Sequence, residues 1–153
     1  MPRPSERRLL PIVLAYLPVP IIGAILSAAW DVGASPEGGA GDMFLRGTAL
    51  TPPLFLPAIL VVAAAGARRS GTIGRVAAGF VSLVSVAFLG GSTFNLPNDF
   101  AAAESAGTPL ALTAVLAAVH IGLSLSLLYN AVPRLMRGTS PDRLEQMSPA
   151  RSS

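Results

Sequence analysis

His120 is the one histidine of the chain, and it stands where a titratable group is expensive. It falls eleven residues after Pro109 and twelve before Val132, in an apolar run free of Asp, Glu, Lys and Arg. At about 1.5 Å of rise per helical residue, that is the middle of a bilayer crossing, where ionisable groups are costly and often functional. Ser85 and Ser82 fall at a similar depth in the preceding apolar run, so a His120–Ser85 or His120–Ser82 hydrogen bond is expected. Two roles fit such an imidazole. It relays a proton or orients a ligand, or it stays neutral and satisfies hydrogen bonds between helices. No carboxylate shares its depth to complete a relay, which makes the second role the simpler. Cysteine is absent, so thiolate chemistry and disulfides are excluded. A lone histidine without cysteine leaves a haem or metal site short of its usual ligands. No metal and no cofactor are expected, no catalytic constellation is visible, and whether the chain is an enzyme stays open on its residues alone.

The elements that must position His120 are apolar runs of membrane-crossing length. A spanning helix needs about 20 mostly apolar residues, and four stretches qualify, at 9–30, 49–67, 76–94 and 109–132. The chain is 52% hydrophobic and 12% charged, with mean hydropathy +0.60, against about 25% charged in soluble domains. The expected fold is all-α, a polytopic four-helix transmembrane bundle over 9–132. Ten of the eleven basic residues, all arginine, lie on one side of the alternation: Arg3, Arg7, Arg8, Arg68, Arg69, Arg75, Arg134, Arg137, Arg143 and Arg151. The opposite loops hold Arg46 against Asp31, Glu37, Asp42, Asp99 and Glu104. The positive-inside rule then places 1–8, the second loop and the tail 133–153 in the cytoplasm. The polar, serine-rich tail reads as disordered beyond Arg137, with one helical turn capped at Ser140. A cleaved signal peptide competes for the first run, with a small-residue site at Ser27-Ala28-Ala29, but that run exceeds the usual 7–15 apolar residues. Absent lysine and abundant Ala, Gly and Pro read as a GC-rich bacterial genome, hence a bacterial inner membrane. A pI near 10.6 raises nucleic acid as a partner; arginines dispersed along membrane flanks argue against it.

Proline and small residues shape the packing. Pro18 and Pro20 remove donors inside the first span, predicting a kink near its middle. Ala78, Ser82, Ser85, Leu89 and Ser92 share one face of the third span. On the fourth, Ala114, Ala118, Gly122, Ser126 and Asn130 recur every four residues, a small-residue stripe of the kind that lets helices approach closely. Thr113, Ala117, His120 and Ser124 lie on the opposite face at about 100° per residue. Beyond the lipid bilayer, the expected partner is therefore a second copy or a partner helix through the fourth span. Trp30 and Tyr129 read as interfacial anchors. The glycine-rich loop 31–47 reads as a flexible connection, and Asn95 to Phe100 as a turn.

The third span ends Thr93-Phe94-Asn95-Leu96-Pro97-Asn98 and the second begins Thr51-Pro52-Pro53-Leu54-Phe55-Leu56. Together with the helix count, this resembles the bacterial four-helix membrane proteins related to anthrone oxygenase. The chain lacks the leucine between Pro97 and Asn98 and the arginine within the fourth helix that such proteins carry. The resemblance implies that Asn95 and Asn98 shape the outer end of a pocket. Three functions remain: an integral membrane protein holding a small apolar ligand or partner helix near His120, Ser85 and Ser82; a membrane enzyme acting on a hydrophobic substrate near His120 and Asn95; and a small oligomeric transporter.

Overall fold

A computed structural model of the chain describes residues 9–136. The expected cytoplasmic segment 1–8, the tail from 137 onward and the Ser140 cap lie outside the described residues. Within them the protein is all-α: α1 Leu9–Tyr16, α2 Pro18–Trp30, α3 Phe55–Gly66, α4 Gly71–Phe94, α5 Leu96–Ser105 and α6 Leu110–Met136, with a 3-10 turn at Ala40–Met43. Three stretches are long and apolar enough to cross a membrane: Leu9–Trp30 with 22 residues, Gly71–Phe94 with 24 and Leu110–Met136 with 27. α3 is a shorter apolar helix of 12.

The first span breaks as its prolines dictate. Pro18 and Pro20 have no N–H, so the carbonyls of Leu14 and Tyr16 lose their usual partners. The helix divides at Leu17, whose own N–H still reaches the Val13 carbonyl at 3.2 Å. α2 then ends on Asp31, a non-glycine residue at φ 50°. Its carboxylate accepts the Ala40 N–H at 2.9 Å and ties down the loop that follows.

The second span departs from expectation. A helix over 49–67 is predicted, but α3 begins only at Phe55. Pro52 and Pro53 supply no donors and push the residues before them toward extended backbone. Twelve helical residues rise about 18 Å, short of a bilayer core. Residues 47–54 instead fold back on α2 and close an isolated bridge between Thr48 and Thr51. Thr51 Oγ1 donates to the Pro20 carbonyl at 3.0 Å, and the Ser27 and Thr48 hydroxyls bond each other. Non-helical backbone is tolerated at membrane depth where protein covers its polar groups. Gly23 permits the contact, since a Cβ there would strike the Leu50 carbonyl.

The segment after α4 is likewise more ordered than the predicted turn. Ala101, Ala102 and Ala103 have high helix propensity, and with Pro97 in the first turn, where proline is accepted, they build α5. α6 runs four residues past the expected end, through Pro133.

α4 and α6 form the most extensive helix pair, with α1 and α3 laid against them. Leu9, Val13, Leu60, Ala64, Val81, Phe88, Leu127 and Ala131 make the larger core, and Val32, Leu50, Ala102 and Leu116 a smaller one at the opposite end. Ile25, Val62, Leu83 and Val115 stand exposed, as expected of helices whose outer faces meet lipid.

Candidate functional site

The buried face of α6 carries Thr113, Leu116, His120, Ser124, Leu127 and Ala131, spaced by threes and fours so that the polar members line one side. Opposite His120 stands Tyr16, the last residue of α1, held at the kink and fully buried. The two rings meet edge to face, with centroids 5.6 Å apart and planes at 83°. Tyr16 stacks on Phe88 of α4 at 5.8 Å and 26°. Three helices therefore converge on this one aromatic.

His120 Nδ1 lies 2.8 Å from the Leu116 carbonyl. A carbonyl can only accept, so Nδ1 carries the proton, and in the neutral ring Nε2 presents a lone pair. That Nε2 has no partner. Neither do the buried Tyr16 hydroxyl, Thr113 Oγ1 and Ser124 Oγ, nor Thr108 Oγ1 near the start of the helix. Buried polar atoms are nearly always hydrogen-bonded, and each exception calls for a physical account. Three of them, on Thr113, His120 and Ser124, share one face of α6, and the Tyr16 hydroxyl lies at the kink. His120 Nε2 can accept, and the three hydroxyls can donate or accept.

The predicted bond from His120 to Ser85 or Ser82 does not form. Both serines are buried on the α4 face that meets α6, but each turns back on its own helix. Ser85 Oγ donates to the Val81 carbonyl at 2.8 Å and Ser82 Oγ to the Ala78 carbonyl at 3.0 Å. The i−4 carbonyl is nearer and already aligned, so local bonding wins. Asn95 sits exposed at the junction of α4 and α5 without capping through its side chain. It lies seven residues beyond Phe88, about 10 Å of helix, and is not brought to His120.

The small stripe of Ala114, Ala118, Gly122 and Ser126 faces outward and is exposed; a Cβ at Gly122 would meet nothing within 4 Å. Near its lower end, a groove of about 650 Å³ runs between α1 and α6. Pro11, Ile12 and Ala15 form one wall, and Leu123, Ser126, Tyr129 and Asn130 the other. Ala15 precedes Tyr16 and Leu123 precedes Ser124, so the groove adjoins these two buried residues in sequence. Asn130 Nδ2 donates to the Ser126 carbonyl at 2.8 Å, which leaves its amide oxygen available.

Two features escape a reading of the sequence. Tyr16 looks like any aromatic in an apolar run, and only the kink shows that it faces α6. The Ser27–Thr48 and Thr51–Pro20 bonds join residues more than twenty positions apart. Outside the spans, burial pushes the Asp99 carboxyl on α5 up to about 7. Among the described residues no group of three or more His, Asp or Glu could hold a metal ion. Comparison of the chain with models of protein families, with curated proteins and with solved structures finds no match.

Proposed function

We propose that this chain is an integral membrane protein of the bacterial inner membrane, crossing four times with both termini in the cytoplasm, that holds a small apolar molecule in the groove between α1 and α6. On this reading α3 and the extended residues before it together make the fourth crossing. The observation that carries the ligand is the groove itself. It is an open surface groove of about 650 Å³, on the scale of small-molecule sites, about 300–1,000 Å³. Its walls are mainly aliphatic, with Ser126, Tyr129 and Asn130 as the polar minority, which suits an apolar body with one hydrogen-bonding group. Tyr16, whose buried hydroxyl is unpaired, directly follows the groove residue Ala15.

Ala15 is exposed, so Ala15→Trp fills the groove without disturbing the core. Purified protein in detergent is titrated with N-phenyl-1-naphthylamine, an apolar fluorescent probe. Saturable binding that falls at least tenfold in Ala15→Trp is expected; equal affinity in the two proteins removes the groove as the site. The exposed stripe favours a second reading, in which another helix or another copy packs on α6. Gly122→Leu then weakens association measured by cross-linking in lipid, and an unchanged monomer fraction rules that out.

A further inference from the structure

Described charges segregate to the two ends of the bundle. Arg68 and Arg69 follow Ala67, the residue that caps α3, and Arg75 lies near the start of α4. Arg134, 67 positions from Ala67, donates a guanidinium N–H to the Ala67 carbonyl. The end of α6 is thus pinned to the same turn, a cation on the last carbonyls of a helix. The described carboxylates lie elsewhere: Asp31, Glu37 and Asp42 between α2 and α3, Asp99 and Glu104 in α5. Among the described residues no carboxylate pairs with Arg68, Arg69 or Arg75. Three cations therefore stand together with no counter-charge among the described residues.

The turn that carries them is fixed and open. A Cβ at Gly74 would collide with the Arg69 carbonyl, so the turn backbone lies directly against α4. Gly71 supplies φ 78° at the corner, and a Cβ there would meet nothing within 4 Å. Arg68 and Arg69 are exposed and Arg75 half-buried. Directly beside them Ile73 and Val76 are 60% and 68% exposed. A planar guanidinium pairs with two phosphate oxygens at once. Cations flanked by exposed aliphatic side chains on a membrane-crossing helix match a molecule with a phosphate at one end and acyl chains at the other.

We propose that the α3–α4 turn is a binding site for an anionic phospholipid, its phosphate held by Arg68, Arg69 and Arg75 and its acyl chains laid along Ile73 and Val76. The site is separate from the groove between α1 and α6 and does not depend on what that groove holds. Basic segments at a membrane surface attract anionic lipid in proportion to their arginine count.

The test uses the full chain, purified in detergent and returned to nanodiscs of phosphatidylcholine with a minority of phosphatidylglycerol. Lipids retained after mild extraction are counted by native mass spectrometry. Wild type is expected to retain phosphatidylglycerol with a preference on the order of a hundredfold, collapsing in 0.5 M NaCl because the contact is electrostatic. R68Q/R69Q/R75Q is expected to lose the preference, while Arg46→Gln, at the opposite end, keeps it. A triple variant as selective as wild type overturns the proposal, and so does a preference lost equally in Arg46→Gln. Inorganic phosphate competing as well as the lipid does would also overturn it, assigning the site to a free anion. If the triple variant does not fold, the salt titration of the unaltered protein still decides, since a preference that survives 0.5 M NaCl is not carried by the arginines.

Discussion

The two halves of the first span meet at Leu17 and are held to the protein by opposite means. α1 buries Leu9, Val13 and Tyr16, side chains set among those of α3, α4 and α6. α2 buries Pro20, Gly23 and Ser27, and there it meets the irregular segment before α3: the Leu50 carbonyl on Gly23, the Thr51 hydroxyl on the Pro20 carbonyl and the Thr48 hydroxyl on Ser27. Lipid tails are as apolar as leucine, so burying aliphatic surface gains little in a bilayer, and association rests on close packing and hydrogen bonds. α1 meets that requirement by interlocking shapes. α2 meets it by letting an irregular segment come close enough to bond.

The difference predicts where the protein is brittle. Gly23→Val should be the most damaging change, because the displaced atom is a backbone carbonyl in a segment already tied at Thr48 and Thr51. Overpacking of this kind costs about 3 kcal/mol or more, read as loss of the folded fraction in a denaturant titration in mixed micelles. Val13→Ala in α1 opens a small cavity among side chains that can relax, and should cost about 2 kcal/mol or less. If Val13→Ala proves the worse of the two, the contrast between the halves fails.

Thr51→Val comes next. It keeps the shape and removes the hydroxyl that donates to the Pro20 carbonyl. Interhelical hydrogen bonds in membranes contribute about 0.6–1.7 kcal/mol, so a loss of about 1 kcal/mol is expected in the same titration. The sharper version pairs it with Gly23→Val. Both act on one contact, so the double variant should cost less than the sum of the singles. Strict additivity would mean that the hydroxyl and the glycine support different contacts.

The same contrast separates what the residues reveal from what they conceal. The kink was legible because proline acts through its own backbone: a missing N–H at Pro18 and Pro20 breaks the helix whatever surrounds it. The buried face of α6 was legible because Thr113, His120 and Ser124 share a helical period, and so was the seam of Ala78, Ser82 and Ser85. The length of α3 was harder, since 49–67 is uniformly apolar and hydropathy does not distinguish helix from extended chain. Pro52 and Pro53 hold that information, but they read equally well as a tolerated helix start. Partner choice was the least legible. Ser85 had two acceptable acceptors, and the nearer Val81 carbonyl took it over His120. Tyr16 became part of the site only through the angle at Leu17, a property of three helices together.

The smallest effect belongs to the end of the molecule where α5 covers the α2 half, with Ala102 packed among Val32, Leu50 and Leu116. Asp99 on this helix is half-buried, and burial raises its carboxyl from the ordinary 3.8 to about 7. Between those values the folded protein keeps a proton that the unfolded chain has released. Stability therefore falls as pH rises through the interval, is greatest below about 3.8 and levels off above about 7. The sign is opposite to that of a carboxylate stabilised by an ion pair. Because the group is partly exposed, solvent screening leaves only a fraction of the change that the full shift implies. Asp99→Asn holds a neutral group of the same shape in place and should flatten unfolding midpoints measured from pH 4 to pH 8, with its gain over wild type largest at the alkaline end. A wild type that instead gains stability toward pH 7 would mean that Asp99 is ionised in the folded protein, and that α5 leaves it in water.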